Sequence, residues 1–489
     1  MKKSMMIILL FVLSAAAFAQ NNDIFTINEI GTITAYNGHD SEIIIPAEIR
    51  GRQVTGIGSG VFFSSGISKV TIPDSVKFIG DRAFFDNKLT SVAIADGVSV
   101  GSEAFAKNQL TGLVIGNRVI VNPQAFAGNQ LTSITMGSGG SIADNAFDEN
   151  RLATVTLGEN IILNVPVFGL SFYYDYLCNN RQAGTYNVNI NYTLETAGDF
   201  SIMVMEFGVV VTGSISPEIN QLTIPGMLNG KPVKGIGNEA FQRKNITRIQ
   251  LPSSLVFTGN YAFSNNQLSN IVIPGNVTYI GNYTFSNNRL TNVTISNNVN
   301  FIGIEAFSNN QLSSVIIPGK TVFIGNAAFY RNQLTTAVIP DSVTSVGSWA
   351  FRNNRLTSVT ISKNIFSIGA YTFSGNQLTT VVIPDSVTSI GDFAFSENRL
   401  TNVTIPGRVT VIGENAFSGN QLASAIISDS VISIGNEAFS QNRLTRVAIG
   451  SNVSLGRDSI PFTAQYNNNG RLAGNYTRPN ANSNSWMRR

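Results

Sequence analysis

The sequence predicts a repeat solenoid, mainly β, in which short strands alternate with helical or 3₁₀ turns. Three observations predict it. Phenylalanine recurs every 22 residues, ten times without a slip, from Phe241 to Phe439. Each copy carries an alternating apolar stretch such as Leu400-Thr401-Asn402-Val403-Thr404-Ile405-Pro406. Charged residues make up only 12% of the chain, which has 44 glycines; that composition suits tight turns and short strands. A unit this small cannot bury its apolar face alone, so neighbouring copies must stack on one another.

The elements follow in chain order. Lys2 and Lys3, the apolar stretch from Met5 to Leu13 and Ala17-Phe18-Ala19 read as a secretory signal over residues 1–19, cleaved to leave Gln20 first. The apolar stretch is too short to span a bilayer, and no later segment offers about 18 uninterrupted apolar residues. An exported chain is expected, either secreted, displayed at the cell surface or held in the periplasm. Cys178 is the single cysteine, so no disulfide can form within the chain. The net charge of +3 includes Lys2 and Lys3. A nearly neutral mature chain has no electrostatic footprint for nucleic acid.

Two tandem arrays follow. The first, residues 20–186, carries Phe62, Phe84, Phe105, Phe126, Phe147 and Phe168. The second, residues 187–476, runs from Phe241 to Phe439, with a looser last copy at Phe462. Alternating runs on both sides of Glu29-Ile30-Gly31 and of Glu206-Phe207-Gly208 predict an opening hairpin for each array. Such a hairpin would cover the first coil edge. The tails also match, Arg181-Gln182-Ala183-Gly184-Thr185-Tyr186 with Arg471-Leu472-Ala473-Gly474-Asn475-Tyr476. Residues 477–489, rich in Asn and Ser, are expected to be disordered.

Within a coil, Leu400, Val403 and Ile405 point inward while Thr401, Asn402 and Thr404 point out. Pro406 ends the strand. Val409, Ile412, Ala416 and Phe417 bury the opposite flank, and Gly413 is expected at a turn that a side chain would hinder. Asparagine recurs three residues after the Phe: Asn266, Asn288, Asn310, Asn332, Asn354, Asn376, Asn398, Asn420 and Asn442, with Asn87, Asn108, Asn129 and Asn150 earlier. Buried amides there would tie each turn to the next. The large array also shows a pairing of coils. Gln or Arg precedes the strand Leu, and the outward position then holds Val or Ile after Gln and mostly Thr after Arg.

The strand Leu-x-x-Val-x-Ile-Pro, the Val-x-x-Ile-Gly segment, the Ala-Phe pair and residues 230–237 resemble the bacterial BspA-type, or treponemal-class, leucine-rich repeats. The resemblance covers residues 23–462. It departs from the family where Asn stands in place of a frequent Cys. It implies two leucine-rich-repeat arrays in an exported or surface protein. Some relatives bind host matrix proteins or other cells.

Catalytic patterns are absent from the sequence. His39 and Cys178 have no reason to meet. Asp74, Asp341, Asp385 and Asp429 share one repeat position and read as turn caps. No metal, phosphate-loop or cofactor motif is found. Binding candidates are surface rows. Phe257, Tyr279, Phe301 and Phe323 precede the Ile of the Ile-Gly segment in successive coils. Trp349, Tyr371 and Phe393 stand two residues before the Phe, as do Tyr261 and Tyr283. Such rows are read either as stacks that stabilise the solenoid or as an exposed aromatic strip. The strand face adds Val338, Thr360, Val382 and Thr404, with Arg248 and Arg446 as its main charges. The expected function is a non-enzymatic, adhesin-like scaffold for host, matrix or neighbouring-cell proteins. A carbohydrate-binding or carbohydrate-cleaving solenoid and a structural surface-layer component stay open as alternatives.

Overall fold

The computed structural model describes residues 24–143, 145–163, 168, 170–179, 181–188, 192–216, 220–461 and 463–488. The expected signal and the copy at Phe462 lie outside them. Backbone contacts divide the chain into one unit of residues up to Tyr173 with Arg181–Ile190, and another of Tyr174–Asn180 with Asn191–Arg489.

In the first unit, Phe25–Ile27 pairs antiparallel with Thr32–Tyr36, which pairs in parallel with Gly56–Ile57. Phe78–Ile79, Ser99–Val100, Ile120–Val121, Ser141–Ile142 and Ile162–Leu163 continue that sheet, one two-residue strand per coil. The opposite row runs Ser91–Ile94, Gly112–Ile115, Ser133–Met136 and Thr154–Leu157. Its residues alternate between exposed and buried, because successive strand side chains point to opposite faces. Gly184–Asn187 covers the last edge antiparallel.

In the second unit, the antiparallel strands Thr193–Ala197, Phe200–Met205 and Gly208–Ser214 lead into Lys231–Ile236 and the Ile-Gly strands up to Ser345–Val346. A five-stranded sheet from Ser367–Ile368 to Ser454–Leu455 continues that side. The opposite row departs from one regular strand per coil. Asn270–Val272 pairs with Asn292–Thr294, and Thr336–Val338 with Ser358–Thr360. Residues 313–317, between these pairs, and 379–383, after the second, form no regular strand. Only the strand starts stay bonded there, Thr335 N to Ser313 O and Thr401 N to Thr379 O, each at 3.3 Å. Arg446–Ile449 is covered antiparallel by Gly474–Thr477. The tail differs from the expected disorder. Met487–Arg488 adds a further antiparallel strand, and Trp486 is buried with the Arg478 guanidinium 4.9 Å from its ring centroid. A single large ring supplies the apolar area that the polar composition of this segment conceals.

The core is a stack of rings. From Phe241 to Phe439, neighbouring repeat phenylalanines lie 5.2–5.8 Å apart with interplanar angles of at most 16°. Offset stacking at this distance is the preferred packing of aromatic rings. The asparagines lock the corner beside them. Asn398 Nδ2 donates to Phe373 O, Phe395 O and Ser396 O at 2.9, 3.1 and 3.2 Å, and its Oδ1 accepts from Leu378 N at 3.0 Å. Each amide therefore satisfies backbone groups in its own coil and in the one before.

Gly413 does stand where a side chain would be hindered, through crowding and not through its φ. Its φ lies outside the left-handed region, and a Cβ there would meet Asp392 N at 2.5 Å. The coils approach too closely for any side chain at that position. Left-handed backbone occurs instead at non-glycine residues two before and often two after the Phe, such as Trp349 (φ 65°) and Asn353 (φ 55°). That geometry turns the N–H groups of alternate residues toward the next coil. Tyr371, Phe373 and Gly375 donate to Asp392 O, Ala394 O and Ser396 O at 2.8–3.0 Å.

Candidate binding surfaces

Of three expected surface features, two are exposed on the solenoid and one is not. Phe257, Tyr279 and Phe301 are at most 2% exposed, and Phe323 is only half-exposed. Tyr279–Phe301 and Phe301–Phe323 stack at 4.6 and 4.8 Å. Tyr174, which belongs to the second unit, stacks on Phe257 at 5.6 Å. This row is internal packing, so the buried three are withdrawn as ligand contacts. Phe301→Ser is accordingly expected to destabilise the second unit by about 2–3 kcal/mol through lost apolar burial. Thermal and urea unfolding read that shift.

The strand face of the second unit is open. Val272, Ile316, Val338, Val382 and Ile426 are 54–83% exposed, the two highest values falling on the coils without regular strand. Thr294, Thr360 and Thr404 lie exposed between them. Not all hydroxyls of this face are available to a partner. Thr291, Thr357 and Thr445 Oγ1 donate to the carbonyl of the preceding coil at 3.2–3.3 Å. What remains is a row of β-branched methyl groups with few charges.

The third feature is the corner beside the Phe stack. Trp349 is 36% exposed, while Tyr371 and Phe393 are half-buried. Trp349–Tyr371 and Tyr371–Phe393 centroids are 4.7 and 4.5 Å apart. The Arg352 guanidinium lies 4.0 Å from the Trp349 centroid and 4.6 Å from that of Tyr371. Tyr261 and Tyr283 stack earlier on the same column at 4.5 Å. Burial, then the Glu305 carboxylate, pushes the Tyr283 hydroxyl up to about 12, so it stays neutral and can donate.

Acid–base and nucleophilic machinery is not assembled at any of these surfaces. Asp341 is held below the usual carboxylate range by hydrogen bonds from Lys363, the partner of a surface ion pair at 2.8 Å. Burial pushes the Cys178 thiol up to about 12, far from a thiolate at neutral pH. Among the described residues no group of His, Cys, Asp and Glu could hold a metal ion. Nor is any described helix long and apolar enough to cross a membrane.

The profile of the BspA type leucine rich repeat region matches residues 41–168, 234–356 and 346–460, in six copies. The chain belongs to the BspA-type leucine-rich repeat family. Among solved structures, this BspA-type chain is similar to a leucine rich cell surface protein from Faecalibacterium prausnitzii A2-165. The two are 20% identical over 91% of this chain and 94% of that one, with a TM-score of 0.28. It is similar to the pneumococcal vaccine antigen PcpA at 16% identity, over 89% and 82% of the two chains, with a TM-score of 0.29. A leucine-rich repeat protein from Bacteroides ovatus ATCC 8483 matches at 19% identity, over 82% and 92%, with a TM-score of 0.26. No curated protein is similar enough to count as a relative.

The BspA-type fold also carries two surfaces that the sequence reading missed. In the first unit an open groove of about 660 Å³ runs across four strands. Ser91, Ala93, Gly112 and Ser133 line it, with Lys69 at one end. The signal was available as a run of small residues at outward strand positions. On the corner of the same unit, Phe63 (49% exposed) stacks on Phe85 at 5.2 Å, with Lys107 Nζ 5.3 Å from the Phe85 centroid. These two lie just after the repeat Phe, a position where most coils hold a small residue.

Proposed function

We propose that this chain is an exported, non-enzymatic, adhesin-like protein-recognition scaffold. It is secreted or displayed at the cell surface and holds host, matrix or neighbouring-cell proteins on the strand face of its second unit. The observation that carries this reading is the row of exposed Val and Ile side chains from Val272 to Ile426. Exposed apolar rows on soluble proteins mark contact surfaces. Each side chain buried by a partner contributes about 1.5–3 kcal/mol. The row is extended and nearly uncharged, so it suits an extended polypeptide held by many similar contacts. Family membership supports a repeat scaffold for interaction.

The test is capture on a panel of immobilised extracellular-matrix proteins, comparing the mature chain with the double substitution Val338→Glu and Val382→Glu. Binding should fall at least tenfold while unfolding free energy changes by only about 0.5 kcal/mol per site. Unchanged capture by a folded variant overturns the reading. Fractionation of cells tests export independently, and retention in the cytoplasm would exclude an adhesin.

A further inference from the structure

The corner near Trp349 has a charge imbalance that the solenoid itself does not neutralise. Between Ala306 and Pro384 the cations are Lys320, Arg331, Arg352, Arg355 and Lys363 and the anion is Asp341, with Glu305 and Asp385 at the two borders. Lys363 already occupies Asp341 at 2.8 Å. Arg331 and Arg352 form neither an ion pair nor a side-chain hydrogen bond with any described residue, and Arg352 Nε is buried without an acceptor. Rings nevertheless hold both guanidiniums. Arg331 lies 5.0 Å from the Tyr330 centroid, and Arg352 lies beside the Trp349–Tyr371 pair, 4.0 and 4.6 Å from the two centroids. Such stacking fixes the planar fork and leaves its outer donors unfilled.

The indole is similarly unfinished. On the side of the preceding coil its column holds Ala327, and the ring that meets Trp349 there is Tyr330, edge-on at 5.9 Å and 75°. The fold does not require a Trp at this point. Its left-handed backbone is taken in other coils by Asn145 and Asn415, residues that tolerate that region far better than a bulky ring.

We propose that Tyr330, Arg331, Trp349, Arg352 and Tyr371 form a subsite for a carboxylate-bearing sugar residue of an acidic glycan, separate from the strand face. The C–H face of the sugar lies on the indole, and its carboxylate takes the guanidinium fork as a two-pronged acceptor. A neutral sugar would leave both arginines unpaired. An acidic peptide would pair the arginines and need a second, apolar residue to cover the indole. An acidic sugar matches both halves within one residue.

The chain has two tryptophans, and Trp486 is buried, so Trp486→Phe leaves Trp349 as the sole reporter. Titration with hyaluronan oligosaccharides should give a saturable change in its emission. Carboxyl-reduced oligosaccharides should bind at least tenfold more weakly. Arg352→Ala and Trp349→Asn in the native background, followed by calorimetry, should each weaken binding at least tenfold. Arg352→Lys, which keeps the charge and loses the fork, should fall between. The proposal is overturned if carboxyl-reduced chains or polyglutamate bind as tightly as hyaluronan. It is equally overturned if folded Arg352 variants bind normally, or if neither hyaluronan nor polygalacturonate gives a saturable signal at millimolar sugar.

Discussion

Phe351→Ala is expected to destabilise the second unit by about 3–5 kcal/mol, the range for removing a large buried ring. Phe351 is fully buried and stacks on Phe329 at 5.4 Å and on Phe373 at 5.8 Å. The cavity therefore opens at two coil interfaces at once. Solenoid stability is close to a sum of coil terms and nearest-neighbour terms. Weakening two adjacent interfaces should separate the coils before Phe351 from those after it. Urea unfolding followed by circular dichroism should show a lower midpoint and a shallower or split transition. Trp349→Asn provides the internal control in the same coil. It removes a partly exposed ring from a left-handed position, so its change should stay near zero or be stabilising. Equal losses at 349 and 351 would disprove the division of rings into core stack and surface strip.

That division shows where sequence reasoning reached and where it stopped. The phenylalanine period fixes the stacking because distance along the chain is all that a repeat needs. Inward and outward strand positions follow from the two-residue alternation, which is why Val338, Thr360, Val382 and Thr404 are found exposed. The row from Phe257 to Phe323 stayed open between internal stacking and an exposed strip, because its burial depends on what covers each coil. Phe78 and Val411 occupy the same repeat position and are 37% and 43% exposed. Tyr174 on Phe257 is a contact between residues more than eighty apart, and no local pattern announces it. The left-handed corner was hidden for a different reason. Glycine is the usual marker of positive φ, yet only a few coils show it, at Gly60, Gly128, Gly375 and Gly419. The other coils impose the conformation on Trp, Tyr, Glu and Asn through the ladder of N–H groups bonded to the next coil.

Asn376→Ala is expected to remove about 3 kcal/mol, from one buried side chain that touches no ligand. Asn376 Nδ2 donates to Phe351 O and Phe373 O at 3.0 Å each, and Oδ1 accepts from Leu356 N at 3.0 Å. The two carbonyls are not orphaned by its loss. Phe351 O still accepts from Asn354 at 3.1 Å, and Phe373 O from Asn398 at 2.9 Å. The Leu356 N–H is different, since Asn376 is its acceptor and the site is closed to water. An unsatisfied buried donor costs about 1–3 kcal/mol, to which the loss of the donated bonds adds. Asn442→Ala should cost less, because Asn442 and its bond to Leu422 N are only part-buried and water can replace the amide. Asn376→Asp keeps the acceptor and loses the donors, so it isolates the two halves of the amide at high pH. Amide hydrogen exchange at Leu356 is the direct readout. It should accelerate by orders of magnitude in Asn376→Ala, while Leu400, held by Asn420 at 3.0 Å, stays protected. Equal acceleration at both positions would mean the array opens as a whole, and the amide row would then contribute to stability without locking individual corners.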